Sequence, residues 1–302
     1  MCTAIYSDGF FGRTLDIERS FGEEVVITPK DLRLSFLREP AKETHMAMIG
    51  MATVREGMPL YFDAMNEAGL CIAALNFPKN AVYNPWREDM YNVASFELIP
   101  WVLSASSSVS EAVELLRKTN ITNDNFSSEL MATPLHWMIS DREKSITVEP
   151  TRSGLEIYEN PFGVLTNNPP FSYHINHISN FMHLTSNVPK NTLCSSVDLE
   201  PYSRGMGALG LPGDFSSSSR FVRAVFAKEY TTSLKNEKND RINRFFHIMD
   251  TVSVPYGCVK TDVGENSYTL YTSCMDIETK TYYFTTYMCR KIQYISLNSV
   301  DF

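Results

Sequence analysis

The sequence predicts an α+β protein in which antiparallel sheets carry helices on their outer faces. Short β-rich runs fill the start, the middle and the end of the chain, and helical patterns are grouped between them. That order lacks the strand–helix–strand alternation that builds a parallel sheet. A hydrophobic fraction of 43% in 302 residues is ample for a sizeable core. No linker, internal repeat or low-complexity segment divides the chain, so residues 1–302 are expected to form one domain.

Residues 3–6 read as a strand, Ser7-Asp8-Gly9 as a turn in which Gly9 accepts a positive φ, and residues 10–13 as the returning strand. Residues 24–29, 32–36 and 45–53 are further short strands, separated by Pro, Asp and Lys. Residues 59–66 and 69–75 form a hairpin around Glu67-Ala68, closed by Asn76-Phe77-Pro78. Residues 95–105 are apolar at the spacing of a buried helix despite Pro100, and the helix over 108–118 opens with a capping box at Ser108 and Glu111. Strand patterns resume at 135–140, 145–148, 155–158 and 163–166, between charged turns. A helical patch covers 173–184, and a loop rich in Ser, Pro and Gly covers 185–219. Helices follow over 220–234, with Ser and Asp caps before it, and over 240–251; strands over 267–274, 281–287 and 291–297 end the chain.

Charge and cysteine usage narrow the function. A net charge of -8 without a Lys/Arg cluster argues against nucleic acid and against an anionic membrane surface as partners. The six cysteines, Cys2, Cys71, Cys194, Cys258, Cys274 and Cys289, form no CxxC pair and no dense framework, which suits reduced thiols in a cytoplasmic protein. No signal-peptide pattern and no apolar run long enough for a bilayer is present, so a soluble protein is expected. Gly205-Met206-Gly207-Ala208-Leu209-Gly210 satisfies GxGxxG, but Leu211-Pro212-Gly213 follows where a helix should begin and no strand precedes it. His174 and His177 have HxxH spacing without a nearby ligand to complete a set, and are expected as a surface pair on one helix face. Neither a cofactor nor a metal is expected.

The chemistry concentrates at the opening of the chain. Cys2, behind a methionine that processing can remove, offers a thiol and a free α-amine on one residue. The thiolate is the reactive form, an ordinary thiol with a pKa of about 8.5 needs a base, and an α-amine near 7.7–8.0 can serve. The hairpin returns Arg13 to the N terminus, and Asp16 follows three residues on. A cation favours a thiolate, and a carboxylate can orient an ammonium. On spacing alone, an inert buried thiol fits this position as well.

Beyond these residues, the chain resembles a known family in blocks that keep the family's order. They are Met1-Cys2-Thr3, Phe11-Gly12-Arg13-Thr14-Leu15-Asp16, Val26-Ile27-Thr28-Pro29, the stretch from Gly69 to Asn76-Phe77-Pro78, Leu135-His136-Trp137, and Gly163-Val164-Leu165-Thr166-Asn167-Asn168-Pro169. The last block runs from Tyr202-Ser203-Arg204-Gly205 through Leu211-Pro212-Gly213-Asp214 to Ser219-Arg220-Phe221-Val222-Arg223. Together they resemble the choloylglycine hydrolase family, which holds conjugated bile salt hydrolases and penicillin V acylases. The resemblance implies an N-terminal nucleophile hydrolase with a four-layer αββα sandwich of two antiparallel sheets. It also implies a homotetramer that cleaves a linear amide.

Carried over residue by residue, the resemblance makes Cys2 the nucleophile, Arg13 and Arg220 the cations that keep its thiol acidic, and Asp16 the holder of the α-amine. It makes Asn167 the side-chain donor to the oxyanion and the backbone amide of Asn76 its companion; one such donor contributes roughly 2.7–4 kcal/mol. The amine then protonates the leaving nitrogen and activates the water that splits the thioester. Asparagine at position 76 resembles the bile salt hydrolases, so the implied substrate is a glycine- or taurine-conjugated bile acid. Ser203, Arg204 and Gly205 resemble a loop that bears on the amino-acid end of the substrate and leans toward glycine. Two alternatives remain: a penicillin V or other linear-amide acylase with the same machinery, and a non-catalytic binding protein in which Cys2 stays blocked.

Overall fold

The computed structural model describes residues 1–235 and 237–299. Its first hairpin joins β1 (Cys2–Ser7) to β2 (Phe10–Ile17) through Asp8 and Gly9, both at positive φ (50° and 82°), a turn whose twist matches that of the strands it connects. β3 (Glu24–Thr28), β4 (Met48–Arg55), β5 (Met58–Asn66) and β6 (Cys71–Asn76) follow as an antiparallel meander. Next come β7 (Tyr91–Ala94), α1 (Leu98–Ala105), α2 (Val109–Leu116) and β8 (Thr119–Thr122). β9 (Leu135–Ser140), β10 (Ser145–Thr151), β11 (Gly154–Glu159) and β12 (Val164–Leu165) lead to α3 (Phe171–His177). The last part holds α4 (Ser217–Tyr230), α5 (Lys238–Asp250), β13 (Val259–Lys260), β14 (Asn266–Asp276), β15 (Thr281–Thr286) and β16 (Gln293–Ser296).

Two seven-stranded antiparallel sheets result. The first has the order β12-β1-β2-β14-β15-β16, with β13 beside β14; the second has the order β11-β10-β9-β6-β5-β4-β3. Period-two alternation on β6 shows how they stack: Cys71, Ala73 and Leu75 enter the core shared with β1 and β2, whereas Ile72 and Ala74 pack with α1 and α2. Phe221 of α4 and Phe245, Phe246 and Ile248 of α5 cover the outer face of the first sheet. The layers are therefore helix, sheet, sheet, helix, the αββα sandwich that the resemblance implied. The six cysteines are unpaired, and no helix among the described residues is long and apolar enough to cross a membrane.

Several elements differ from expectation. Residues 32–36 form no strand: Leu34 alone is buried and makes a single bridge to Lys42, too little for a ladder. The helix expected over 173–184 is α3 followed by a 3-10 turn at Ile178–Phe181. The helix expected over 220–234 is α4, which starts at Ser217 and stops at Tyr230. The capping box of α2 is half made, because Ser108 Oγ accepts the Glu111 N–H while the Glu111 carboxylate takes the Ser107 N–H instead. The parallel pair β7 and β8 was not legible, since its interior is polar: Asn120 Nδ2 donates to Asn92 Oδ1 at 2.9 Å.

Candidate active site

Backbone register brings the N terminus to its partners. β1 pairs with β12 as Ala4↔Leu165 and Ile5↔Val164, so continuing the register sets Cys2 opposite Asn167. There the Cys2 N–H donates not to a backbone carbonyl but to Asn167 Oδ1, at 2.7 Å. On the other side β2 pairs as Cys2↔Leu15 and Ala4↔Arg13. Side chains alternate across a strand. Thr3 Oγ1 meets Arg220 of α4, so Cys2, Ala4 and Arg13 face the second sheet. Arg13 Nη1 accordingly donates to the carbonyls of Phe62 (3.1 Å) and Ala74 (2.5 Å) there.

Arg220 approaches from the other face. Its position is set by the start of α4, where the Asp214 carboxylate accepts from the Ser216 N–H and the Ser219 hydroxyl. Ser217 Oγ accepts the Asn167 N–H at 2.8 Å and so fastens the helix to the site. Arg220 then donates from Nη1 to the Cys2 carbonyl (2.5 Å) and to Thr3 Oγ1 (2.6 Å), from Nη2 to Asn167 Oδ1 (2.7 Å), and from Nε to the Phe215 carbonyl (3.0 Å). Those bonds hold a buried cation at a helix start, where the macrodipole opposes it.

The Asn167 carboxamide has one orientation, because two obligate donors face its oxygen and a carbonyl faces its nitrogen. Nδ2 donates to the Asn76 carbonyl at 2.8 Å, and its second hydrogen has no partner in that set of bonds. At the end of β6 the Phe77 N–H bonds the Pro134 carbonyl and the Leu135 N–H bonds the Tyr83 hydroxyl. By the alternation of an antiparallel ladder, the N–H and C=O of Asn76 point away from β9 and toward Asn167. The Asn167 carboxamide thus links the Cys2 main chain in the first sheet to the end of β6 in the second.

Cys2, Arg13, Asn76, Asn167 and Arg220 are thus brought together at one end of the two sheets. The sequence profile of the linear amide C–N hydrolases, choloylglycine hydrolase family, matches residues 2–302. The chain belongs to the choloylglycine hydrolase family. A protein named bile salt hydrolase/transferase from Lactiplantibacillus plantarum is 46% identical over 301 residues, which cover 99% of this chain and 93% of that one. The crystal structure of a conjugated bile acid hydrolase variant from Clostridium perfringens superposes with a TM-score of 0.91 at 35% identity, covering 100% of this chain and 94% of that one. A penicillin V acylase from Agrobacterium tumefaciens shares the fold, with a TM-score of 0.77 at 21% identity over 100% of this chain and 87% of that one.

In this choloylglycine hydrolase family member, with Met1 attached, Asp16 stands at the N terminus but its carboxylate does not bond the Cys2 nitrogen. The Asp16 N–H and C=O bond the Met1 main chain at 3.0 and 2.5 Å. Its carboxylate, however, lies three residues from Arg13 and hence on the opposite face, accepting from Thr14 Oγ1 (3.0 Å) and Thr269 Oγ1 (2.6 Å). The group on the Cys2 nitrogen is the Asn167 oxygen.

Burial opposes the charge on both arginines. For Arg13 that penalty is outweighed by the proximity of Cys2, Tyr271, Asp63 and Asp16, which holds the guanidinium pKa above its usual value. For Arg220 burial prevails against Asp16 and Cys2 and moves the pKa down. Asp63 was not foreseen as part of the site. It is fully buried, which pushes its pKa up against the pull of Arg13, and it accepts from the hydroxyls of Tyr271 (2.5 Å) and Tyr282 (2.7 Å). A lone acid in the apolar run Tyr61-Phe62-Asp63-Ala64-Met65 was the available signal.

Ser203, Arg204 and Gly205 lie exposed on the loop before α4, and no hydrogen bond among the described residues ties them to the Cys2 cluster. His174 overturns the expected surface pair. It is buried, stacked on Phe221 (centroids 4.9 Å apart), with Nε2 3.2 Å from the Asn167 carbonyl and Nδ1 unpartnered. The helix face it occupies packs on α4, which the spacing alone did not reveal. Burial pushes its pKa down to about 4. The unfolded chain therefore takes up a proton below about pH 6.5 that the folded chain refuses until about pH 4. Stability is full above this window and falls as pH drops through it, by about 3 kcal/mol in all. Thermal melts of His174→Gln should flatten between pH 6.5 and 4; parallel melting curves for both proteins would refute the assignment.

Proposed function

We infer that the chain is a bile salt hydrolase, cleaving the amide of glycine- or taurine-conjugated bile acids with Cys2 as nucleophile once Met1 is removed. The observation that carries this is the tie between Asn167 and Arg220 at the Cys2 main chain, in a chain 46% identical to a bile salt hydrolase/transferase. Removal of Met1 turns the Cys2 amide nitrogen into an amine already seated against Asn167 Oδ1.

The Cys2 amine takes the thiol proton and becomes an ammonium; the sulfur attacks the amide carbonyl, the C–S bond forms and the carbonyl electron pair moves onto oxygen. Arg13 faces the sulfur side and Arg220 the main-chain side, so both cations oppose the accumulating charge. The Asn76 N–H and the free Asn167 Nδ2 hydrogen are the proposed oxyanion donors. Collapse expels glycine or taurine, whose nitrogen takes its proton from the Cys2 ammonium. The amine then removes a proton from water, which attacks the thioester and releases the bile acid with Cys2 restored. Asp16, at the N terminus with its carboxylate held by Thr14 and Thr269, is proposed to hold the freed Cys2 amine. Ser203, Arg204 and Gly205 are proposed to meet the amino-acid end of the substrate. A homotetramer in the cytoplasm is the proposed setting, on the family resemblance and on the unpaired cysteines.

Initial rates on glycocholate, taurocholate and penicillin V decide the substrate. The bile salts should lead by about tenfold or more in kcat/KM, with glycocholate ahead of taurocholate. Penicillin V in the lead would overturn the substrate assignment and leave the nucleophile untouched.

A further inference from the structure

His136 of β9 is completely buried, yet both ring nitrogens are engaged. Nε2 lies 2.8 Å from the Thr166 carbonyl, which can only accept, so Nε2 carries a hydrogen. Nδ1 lies 2.9 Å from Glu149 Oε1, and both Glu149 oxygens are 3.1 Å from the Phe171 N–H. Wherever the proton between Nδ1 and Oε1 resides, the Nε2–H is fixed on Thr166. The imidazole also stacks flat on Phe77, with centroids 4.3 Å and planes 5° apart. One ring thus grips the residue after Asn76 and the residue before Asn167.

The two proposed oxyanion donors belong to different sheets, Asn76 to the end of β6 in the second and Asn167 to the continuation of β12 in the first. Apolar packing between sheets is non-directional and does not fix their relative position to a fraction of an ångström. Hydrogen bonds across the gap do, the Asn167–Asn76 bond inside the site and the His136–Thr166 bond behind it, and misplacement near 1 Å can cost on the order of 100-fold in rate.

We propose that His136, oriented by Glu149, is a positioning residue that sets the spacing of the Asn76 N–H and the Asn167 carboxamide, and so the oxyanion site. It touches no substrate, and its role rests on the Cys2 mechanism above. Glutamine at 136 can carry an amide N–H to where Nε2 stands, whereas asparagine is one methylene too short. His136→Gln should keep kcat on glycocholate within about threefold. His136→Asn should lose on the order of 10- to 100-fold in kcat, with KM within about twofold. Alkylation of Cys2 by iodoacetamide passes through no oxyanion, so its rate, followed on the Cys2 peptide by mass spectrometry, should be unchanged in both variants.

Equal kcat in the two variants, or an alkylation rate that falls in step with hydrolysis, overturns the proposal, the second by showing general damage to the site. Should His136→Asn fail to fold, the apolar double variant His136→Phe/Glu149→Leu takes its place with the same expected loss. A Cys2→Ala protein that still hydrolysed glycocholate would instead defeat the nucleophile assignment.

Discussion

A Cys2→Ala protein should fold as the parent does and hydrolyse glycocholate roughly a millionfold more slowly in kcat, the scale seen when a catalytic nucleophile is removed. The fold survives because the contacts that hold this end of β1 are made by main-chain atoms: the Cys2 N–H to Asn167, its carbonyl to Arg220, and the ladder with β2. Activity does not survive, because the sulfur has no substitute on this face of the sheet. The same logic makes Met1 a block. While Met1 is attached, the Cys2 nitrogen is an amide whose one hydrogen is committed to Asn167 Oδ1, and an amide cannot take up a proton from the thiol or from water. Intact mass and activity should therefore move together: the active fraction equals the fraction of molecules that have lost Met1. Acetylation of the freed amine should silence the enzyme without modifying the thiol. Full activity in a preparation that retains Met1, or in the Cys2→Ala protein, ends the proposal.

The opening hairpin was legible because its determinants are local. Asp8-Gly9 fixes the turn, the turn fixes the register, and the register returns Arg13 and Asp16 to the N terminus. The face each occupies followed from the same period of two and could have been read: residues three apart on a strand point opposite ways, so Arg13 and Asp16 cannot both reach the Cys2 side chain. What local pattern could not supply is the pairing of β1 with β12, 161 residues apart at Ala4↔Leu165, which puts the Asn167 oxygen on the Cys2 nitrogen. Asp63, Tyr271 and Tyr282 were hidden for the same reason, since they meet only where β5 of one sheet faces β14 and β15 of the other. The four-layer stacking came from family resemblance. A physical trace of it was present in the unbroken apolar run from Leu70 to Leu75, whose alternate side chains are all buried because β6 is covered on both faces. His174 shows the opposite failure, a polar residue whose helical spacing suggested solvent and whose neighbour proved to be Phe221.

Asn167→Asp and Asn167→Ala should both lose on the order of 100- to 1000-fold in kcat on glycocholate, yet differ in stability. The carboxamide works at both ends: Oδ1 accepts from the Cys2 nitrogen and from Arg220, and Nδ2 donates to the Asn76 carbonyl with one hydrogen to spare. Aspartate keeps the shape and the acceptor, and gives Arg220 a charged partner in place of a neutral one, a stronger bond. It removes the spare N–H and sets a second oxygen against the Asn76 carbonyl. Alanine removes everything and strands buried donors on Cys2 and Arg220, at about 1–3 kcal/mol for each group left unpaired. The order of melting temperatures should therefore be parent and Asp together, Ala below, while the order of activity sets the parent alone above both. If Asn167→Asp retained activity near the parent, the carboxamide would act through its oxygen alone, holding the amine, and the second oxyanion donor would have to be sought elsewhere.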